Sequence, residues 1–273
     1  MAPKRRFWFS RTFLIIVGSI LALLLLTYGW GLQTVMSWKY RQEVKRFPVL
    51  ALTPQALPSI NPNSSEGMKL SDAGSEFEVP WNDLDTQKTK YVGKIAIFAF
   101  RSGRVVEFFP PGPKDKDLLA TLEEDFRDKD GNLRALFGPE AMKSNYALQK
   151  TMLEVTPSKM KPWMGQREAV RTSMLLLIKA VSSVGGETGL FKLEQNGWHG
   201  FQFDDPARGP KRVTLELYDS QDRHAEIIFF SSQKSPECGF TQADINRVVV
   251  TLRPSDRPAT QTAIPRKNII AIK

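Results

Sequence analysis

The sequence predicts an α+β domain, an antiparallel sheet packed with helices, preceded by one N-terminal transmembrane helix. Three observations carry this. Thr12 to Trp38 is a run of 27 residues without a charge. Later segments alternate apolar and polar residues at the period of two that strands require. Between them lie stretches whose apolar residues recur every three to four positions, the period of a helix with one buried face.

The chain opens on a basic stretch, residues 1–11, with Lys4, Arg5, Arg6 and Arg11. The most apolar part of the uncharged run is Thr12–Leu32, TFLIIVGSILALLLLTYGWGL. Twenty-one helical residues rise about 30 Å, the thickness of the hydrocarbon layer. The span is placed at residues 12–34. Phe7, Trp8 and Phe9 precede it, and Tyr28, Trp30, Trp38 and Tyr40 close it. Such rings favour the headgroup level, where one edge can stay wet while the body is apolar. A cleaved secretory signal has an apolar part of about 7–15 residues, which Phe13–Leu26 would fit. Its exit, however, reads Thr27-Tyr28-Gly29-Trp30-Gly31, with rings where a signal peptidase needs small side chains. No Cys lies near this exit to carry a lipid. The expectation is an uncleaved anchor flanked by Lys4, Arg5, Arg6, Arg11, Trp30, Trp38, Lys39 and Arg41. Four basic side chains and the α-amine precede it, and Lys39, Arg41, Lys45 and Arg46 follow. That small excess puts the N-terminus in the cytosol and the domain outside, at an inner cell membrane.

Residues 35–75 combine a juxtamembrane segment with a stretch rich in Pro, Ser, Asn and Gly, which reads as an extended stalk. Its Asn63-Ser64-Ser65 is a sequon short enough to arise by chance. The domain is expected over 76–253. Lys94–Phe100 and Val105–Phe109 form a hairpin about Arg101-Ser102-Gly103-Arg104, closed by Pro110, Pro111 and Pro113. Asp115 to Asp130 is a helix with Leu119, Leu122 and Phe126 inward and Gly131 as its stop. A second helix starts at Ser144, carries Leu148, Met152 and Val155, and ends before Pro157. A third, Gln166 to Val184, is apolar enough to be buried, with Val170, Met174, Leu177 and Val181 in one stripe and Ser173, Leu176 and Ala180 in the next. Leu190–Leu193, Gly200–Phe203, Arg212–Tyr218 and His224–Phe230 are strands. In the third of these Val213, Leu215 and Leu217 face one way and Thr214, Glu216 and Tyr218 the other. Asp219-Ser220-Gln221-Asp222 turns the chain into the fourth. The last helix opens on Thr241 with Asp244 three residues on, a capping box with Asp in place of Glu, and buries Ile245, Val248, Val249 and Leu252. Pro254, Pro258 and Pro265 mark a basic tail, 254–273, that does not pack. This order of elements is loosely similar to the helix–sheet–helix sandwich of PsbP-like extrinsic photosystem proteins; the likeness is one of order and transfers no residue and no function.

The net charge of +9 is uneven: residues 1–46 hold +7, residues 253–273 hold +4, and residues 47–252 hold −2. A near-neutral domain is poor material for a phosphate backbone, so no nucleic-acid partner is expected; the basic ends suit anionic lipid headgroups instead.

One Cys and two His leave little for metal or redox chemistry, and no cofactor or metal is expected. The acidic string Glu123, Glu124, Asp125, Asp128, Asp130, Gly131 fails as a calcium loop, since Phe126 and Phe137 stand at its first and last ligand positions. His199, in NGWHGFQFDDP, is the residue with most chemical promise. Paired with Asp204 or Asp205 it would make an acid–base couple; otherwise the string is a strand edge and turn. Asp222 and His224 flank the other turn, too few ligands for a metal unless His199 approaches them. Cys238 stands just before the last helix, where a thiol pKa can fall, but no cysteine-hydrolase signature surrounds it. Walker, nucleophile-elbow, dinucleotide and zinc-protease motifs are absent from the sequence. The reading is a non-catalytic binding or scaffolding domain with protein partners in the envelope; the competing one is a tethered hydrolase built on His199, Asp204 and Asp205.

Overall fold

The computed structural model describes residues 31, 34–35, 38–57, 67–72, 75–111, 118–125, 127, 131–161, 164–182, 188–209, 212–231 and 239–253. It is a mixed α/β structure with one large sheet and helices. The strands are β1 (Gln55–Ala56), β2 (Met68–Asp72), β3 (Ser75–Val79), β4 (Lys90–Val92), β5 (Ile95–Ala99), β6 (Arg104–Phe109), β7 (Leu190–Gln195), β8 (Trp198–Phe203), β9 (Arg212–Tyr218) and β10 (His224–Ser231). The helices are α1 (Leu118–Asp125), α2 (Asn132–Phe137), α3 (Asn145–Leu153), α4 (Gln166–Ser182) and α5 (Gln242–Thr251). Eight strands join in the order β1-β7-β8-β9-β10-β6-β5-β4, and β2 pairs with β3 separately. Every pair is antiparallel except β1 with β7.

The alternation in β9 decides which layer covers which face. Val213, Leu215 and Leu217 pack with Phe98, Phe108, Ile227 and Phe229 from neighbouring strands and with Ile245, Val248 and Val249 of α5. The capping box is formed: Thr241 Oγ1 accepts from Asp244 N while Asp244 Oδ2 accepts from Thr241 N. Gln202 of β8 and Gln242 of α5 exchange a pair of buried amide hydrogen bonds, and Gln242 also donates to Asn246. A polar contact so completely satisfied sets the position of helix on sheet, which apolar packing alone leaves loose. Thr251 and Arg247 of α5 hold the β2–β3 hairpin by accepting from Glu78 N at 2.8 Å and pairing with its carboxylate at 3.1 Å. On the opposite face Leu190 and Phe201 meet Leu153 and Tyr146 of α3. Behind α3 a second core joins Leu148, Met152, Leu175, Leu176, Ile178 and Phe137. Ser144 caps α3 through Ala147 N, as expected. The helix expected to run to Asp130 ends at Asp125, with Arg127 already left-handed, so Gly131, also left-handed, opens α2 instead of stopping the helix before it.

Two expectations are corrected. The segment expected as a stalk is partly built into the domain. Val49 and Leu50 are buried in a 3-10 turn, Pro48–Ala51, Gln55–Ala56 adds an edge strand, and β2 supplies buried Leu70. The domain therefore begins well before residue 76. Proline and polar content marks extended backbone, and extended backbone also suits a sheet edge. The second correction is the orientation of α4. Its inward face carries Thr172, Leu175, Leu176, Ile178 and Lys179, whereas Val170, Leu177 and Val181 face out, 51%, 42% and 73% exposed. Lys179 is 2% exposed, and its Nζ donates to the carbonyls of Leu52, Leu153 and Val155 at 2.7, 2.8 and 2.8 Å. Those three carbonyls end one helical turn and leave another, and the lysine amine that satisfies all three joins Leu175, Leu176 and Ile178 in fixing which side of the helix faces in.

Candidate functional site

The sheet register gathers the polar chemistry of the helical face into one row. Glu194 of β7 stands opposite His199 of β8, His199 opposite Tyr218 of β9, and Tyr218 opposite His224 of β10. Directly opposite side chains on one face of a sheet lie close enough to interact. The His199 and Tyr218 rings stack with centroids 6.3 Å apart, and Tyr218 meets His224 at 5.2 Å. Tyr146, from the first turn of α3, lies across the row: 4.4 Å edge-on to His199, 5.5 Å stacked on Phe201 and 6.0 Å from Tyr218.

Asp222 holds that lid in place. Its carboxylate accepts from Asn145 N at 2.6 Å and Tyr146 N at 3.2 Å, so the turn after β9 caps the helix that carries Tyr146. Asp222 itself takes a left-handed backbone, φ 59°, which Asp tolerates better than most residues. Asp219 is buried and accepts from Gln221 N, Arg223 N and the Arg223 guanidinium. Glu194 pairs with Lys192, and that hydrogen bond holds its carboxyl below the usual range. Glu216 accepts from Gln149 of α3.

Burial lowers the His199 pKa, while Asp222, Glu194 and Asp219 pull it back up. Burial raises the Tyr146 phenol against the pull of Lys192, and raises the Tyr218 phenol far above its ordinary value. At neutral pH the rings of His199, Tyr146 and Tyr218 are therefore uncharged, bordered by the Lys192–Glu194 pair. His199, His224 and Tyr146 stay half-buried beside the buried Tyr218 and Phe201, a small aromatic surface suited to an apolar or planar group.

Asp204 and Asp205 do not join it. They follow β8 at the end opposite His199, about 16 Å along the strand. Asp204 Oδ1 accepts from Thr188 N and Oγ1, and Asp205 caps the 3-10 turn Pro206–Arg208 through Ala207 N. The structure thus separates the residues of the proposed acid–base couple and sets His199 and His224 on either side of Tyr218. Among the described residues no group of three or more His, Cys, Asp or Glu could hold a metal ion.

Tyr146, Tyr218 and Lys179 escaped the sequence reading. Tyr218 was legible in part, because the five residues Asp219 to Arg223 after it set it opposite His224. Tyr146 was not, since only Asp222, 76 residues away, brings it to the row. Lys179 had a signal: a lone cation inside MLLLIKAV.

Of the membrane-flanking residues, Lys4, Arg5, Arg6, Arg11 and Trp30 lie outside the described residues, as do Cys238, the sequon and the 254–273 tail. Trp38, Lys39 and Arg41 are exposed on helical residues 38–43. Tyr40, between them, donates its hydroxyl to the Ser173 carbonyl of α4 at 3.0 Å, and Val44 and Phe47 pack on the helical core. Among the described residues no helix is long and apolar enough to cross a membrane, and Thr12–Leu32, apart from Gly31, lies outside them.

No family model, no curated protein and no solved structure matches the chain.

Proposed function

We propose that the protein is a single-pass membrane protein, anchored by Thr12–Leu32 with its N-terminus in the cytosol, that presents a non-catalytic binding or scaffolding domain outside the cytosol in a cell envelope. The observation that carries the reading is the junction at Tyr40. The chain leaving the uncharged run binds α4 through Tyr40 and enters the helical core through Val44, Phe47 and Leu50. A domain built onto the end of its own apolar run is suited to being held against a membrane rather than swung from it. The aromatic row supports binding over catalysis, because Asp219 and Asp222 are engaged by backbone amides and Glu194 by Lys192. A hydrolase using His199 would need Asp204 or Asp205 beside it, and both serve the turn at the other end of β8.

Two measurements test this. A reporter active only outside the cytosol, fused after Arg253, is expected to be active; a silent fusion reverses the orientation. A photo-crosslinking residue at His224, at the end of the row, is expected to capture a discrete partner in the native membrane, and to lose it when Tyr146→Ala removes the ring over His199. Capture unaffected by that change would place the binding surface elsewhere.

A further inference from the structure

We propose that the outer face of α4, Val170, Leu177 and Val181, rests on the bilayer surface beside the point where the chain enters it, with the helix lying along the headgroup boundary. The inference rests on the anchored reading above and adds to it a second contact between domain and lipid.

The helix is apolar on two sides: Leu175, Leu176 and Ile178 pack into the helical core, while Val170, Leu177 and Val181 stay exposed. Lys179 lies about 180° around the axis from Val170, and it is the lysine that is buried and the valines that are bare. From Val170 to Val181 the apolar line runs about 16 Å along the axis. An apolar line of that length left in water invites a cover.

The position of the chain indicates which cover. Tyr40 is bound to Ser173, in the stretch of α4 between Val170 and Leu177, and the uncharged run ends only two residues earlier at Trp38. Whatever surface that run enters therefore passes close to the middle of α4. Val35 and Trp38, on the approach, are themselves 60% and 63% exposed. The exposed charges near this junction suit anionic headgroups: Lys39, Arg41, Lys45 and Arg46 on the entering chain, and Arg167 at the start of α4. Glu168, the acidic residue of that first turn, lies about 160° around the helix from Val170 and away from the line. An apolar face with a basic border, lying flat, is the arrangement of an interfacial helix.

The experiment uses the full chain with Cys238→Ser, which removes the single native Cys. It is reconstituted in vesicles of phosphatidylcholine and phosphatidylglycerol containing a doxyl-labelled phosphatidylcholine as quencher. A bimane label is placed in turn at Leu177→Cys, Val181→Cys, Leu23→Cys and Lys88→Cys. Lys88 serves as the dry control: it precedes β4, at the sheet edge opposite β1, about 34 Å across eight strands. Quenching at 177 and 181 at least twofold stronger than at 88 is the expected result. Quenching at 23 with none above the control at 177 and 181 leaves the anchor in place and overturns the bilayer contact, handing the stripe to a protein partner or a second copy. No quenching at 23 overturns the anchored reading itself, and this inference with it.

Discussion

Lys179→Met isolates the buried amine. Burial pulls the Lys179 ammonium from an ordinary 10.5 to about 7, with the Lys159 charge pushing the same way. Between those two values the unfolded chain carries a proton that the folded chain has released. Stability therefore rises with pH through that window, by up to about 1.4 kcal/mol per unit, and is flat below about 7, where both states are charged. From pH 7 to 9 the wild type should gain about 2 kcal/mol on the Met variant, which keeps an unbranched chain of similar length and does not titrate. The carbonyls of Leu52, Leu153 and Val155 oppose this, because three acceptors use all three hydrogens of an ammonium and a neutral amine supplies only two. The assay is urea unfolding of both full chains in the same mild detergent at pH 6, 7, 8 and 9, compared as a difference so that other titrating groups cancel. A difference that stays flat from pH 6 to 9 refutes the reasoning. It would mean that the three carbonyls keep the amine charged and that burial does not set its state.

Other perturbations follow from single contacts. Gly200→Ala would put a methyl group 1.9 Å from the Glu216 carbonyl oxygen of the adjacent strand, so it should cost about 3 kcal/mol or more in urea unfolding. Asp222→Asn leaves one acceptor for the two amides of Asn145 and Tyr146 and should cost about 2 kcal/mol. It also removes a charge that raises His199, so the His199 midpoint followed by NMR should move further down; an unchanged midpoint would separate the turn from the row. Because the folded His199 is harder to protonate than the unfolded one, its burial should lower stability as pH falls below about 6.5, and His199→Phe should flatten that slope. Thr241→Ala removes one half of the capping box and should cost about 1 kcal/mol.

Much of the sheet was legible because its side chains alternate. β9 and β10 were placed within a residue at each end, and the turn between them was read from its polar residues. The inner face of α5 was legible for the same local reason, its period and its cap. What remained hidden depended on long-range choice. A helix with apolar residues on most sides does not declare which side faces in, and in α4 one lysine with three carbonyl partners joined Leu175, Leu176 and Ile178 in settling it. The short strand β1 has two residues and no pattern to read; it exists because β7 offers a free edge. The aromatic row was half legible, with both histidines noticed but not their common neighbour. Which strand lies next to β8 is a matter of topology, and Tyr218 becomes the bridge only once β9 does.

The edges of the sheet bear on how copies of the protein meet one another. The order of strands ends on β1, two residues long, and β4, three residues long. An outermost strand is the place where one molecule can add its backbone to another. Borders this short present few unpaired amides and carbonyls, so neighbouring copies gain little by zipping their sheets together. The longer strands are kept inside the order, so copies can meet at high concentration without growing into a fibre.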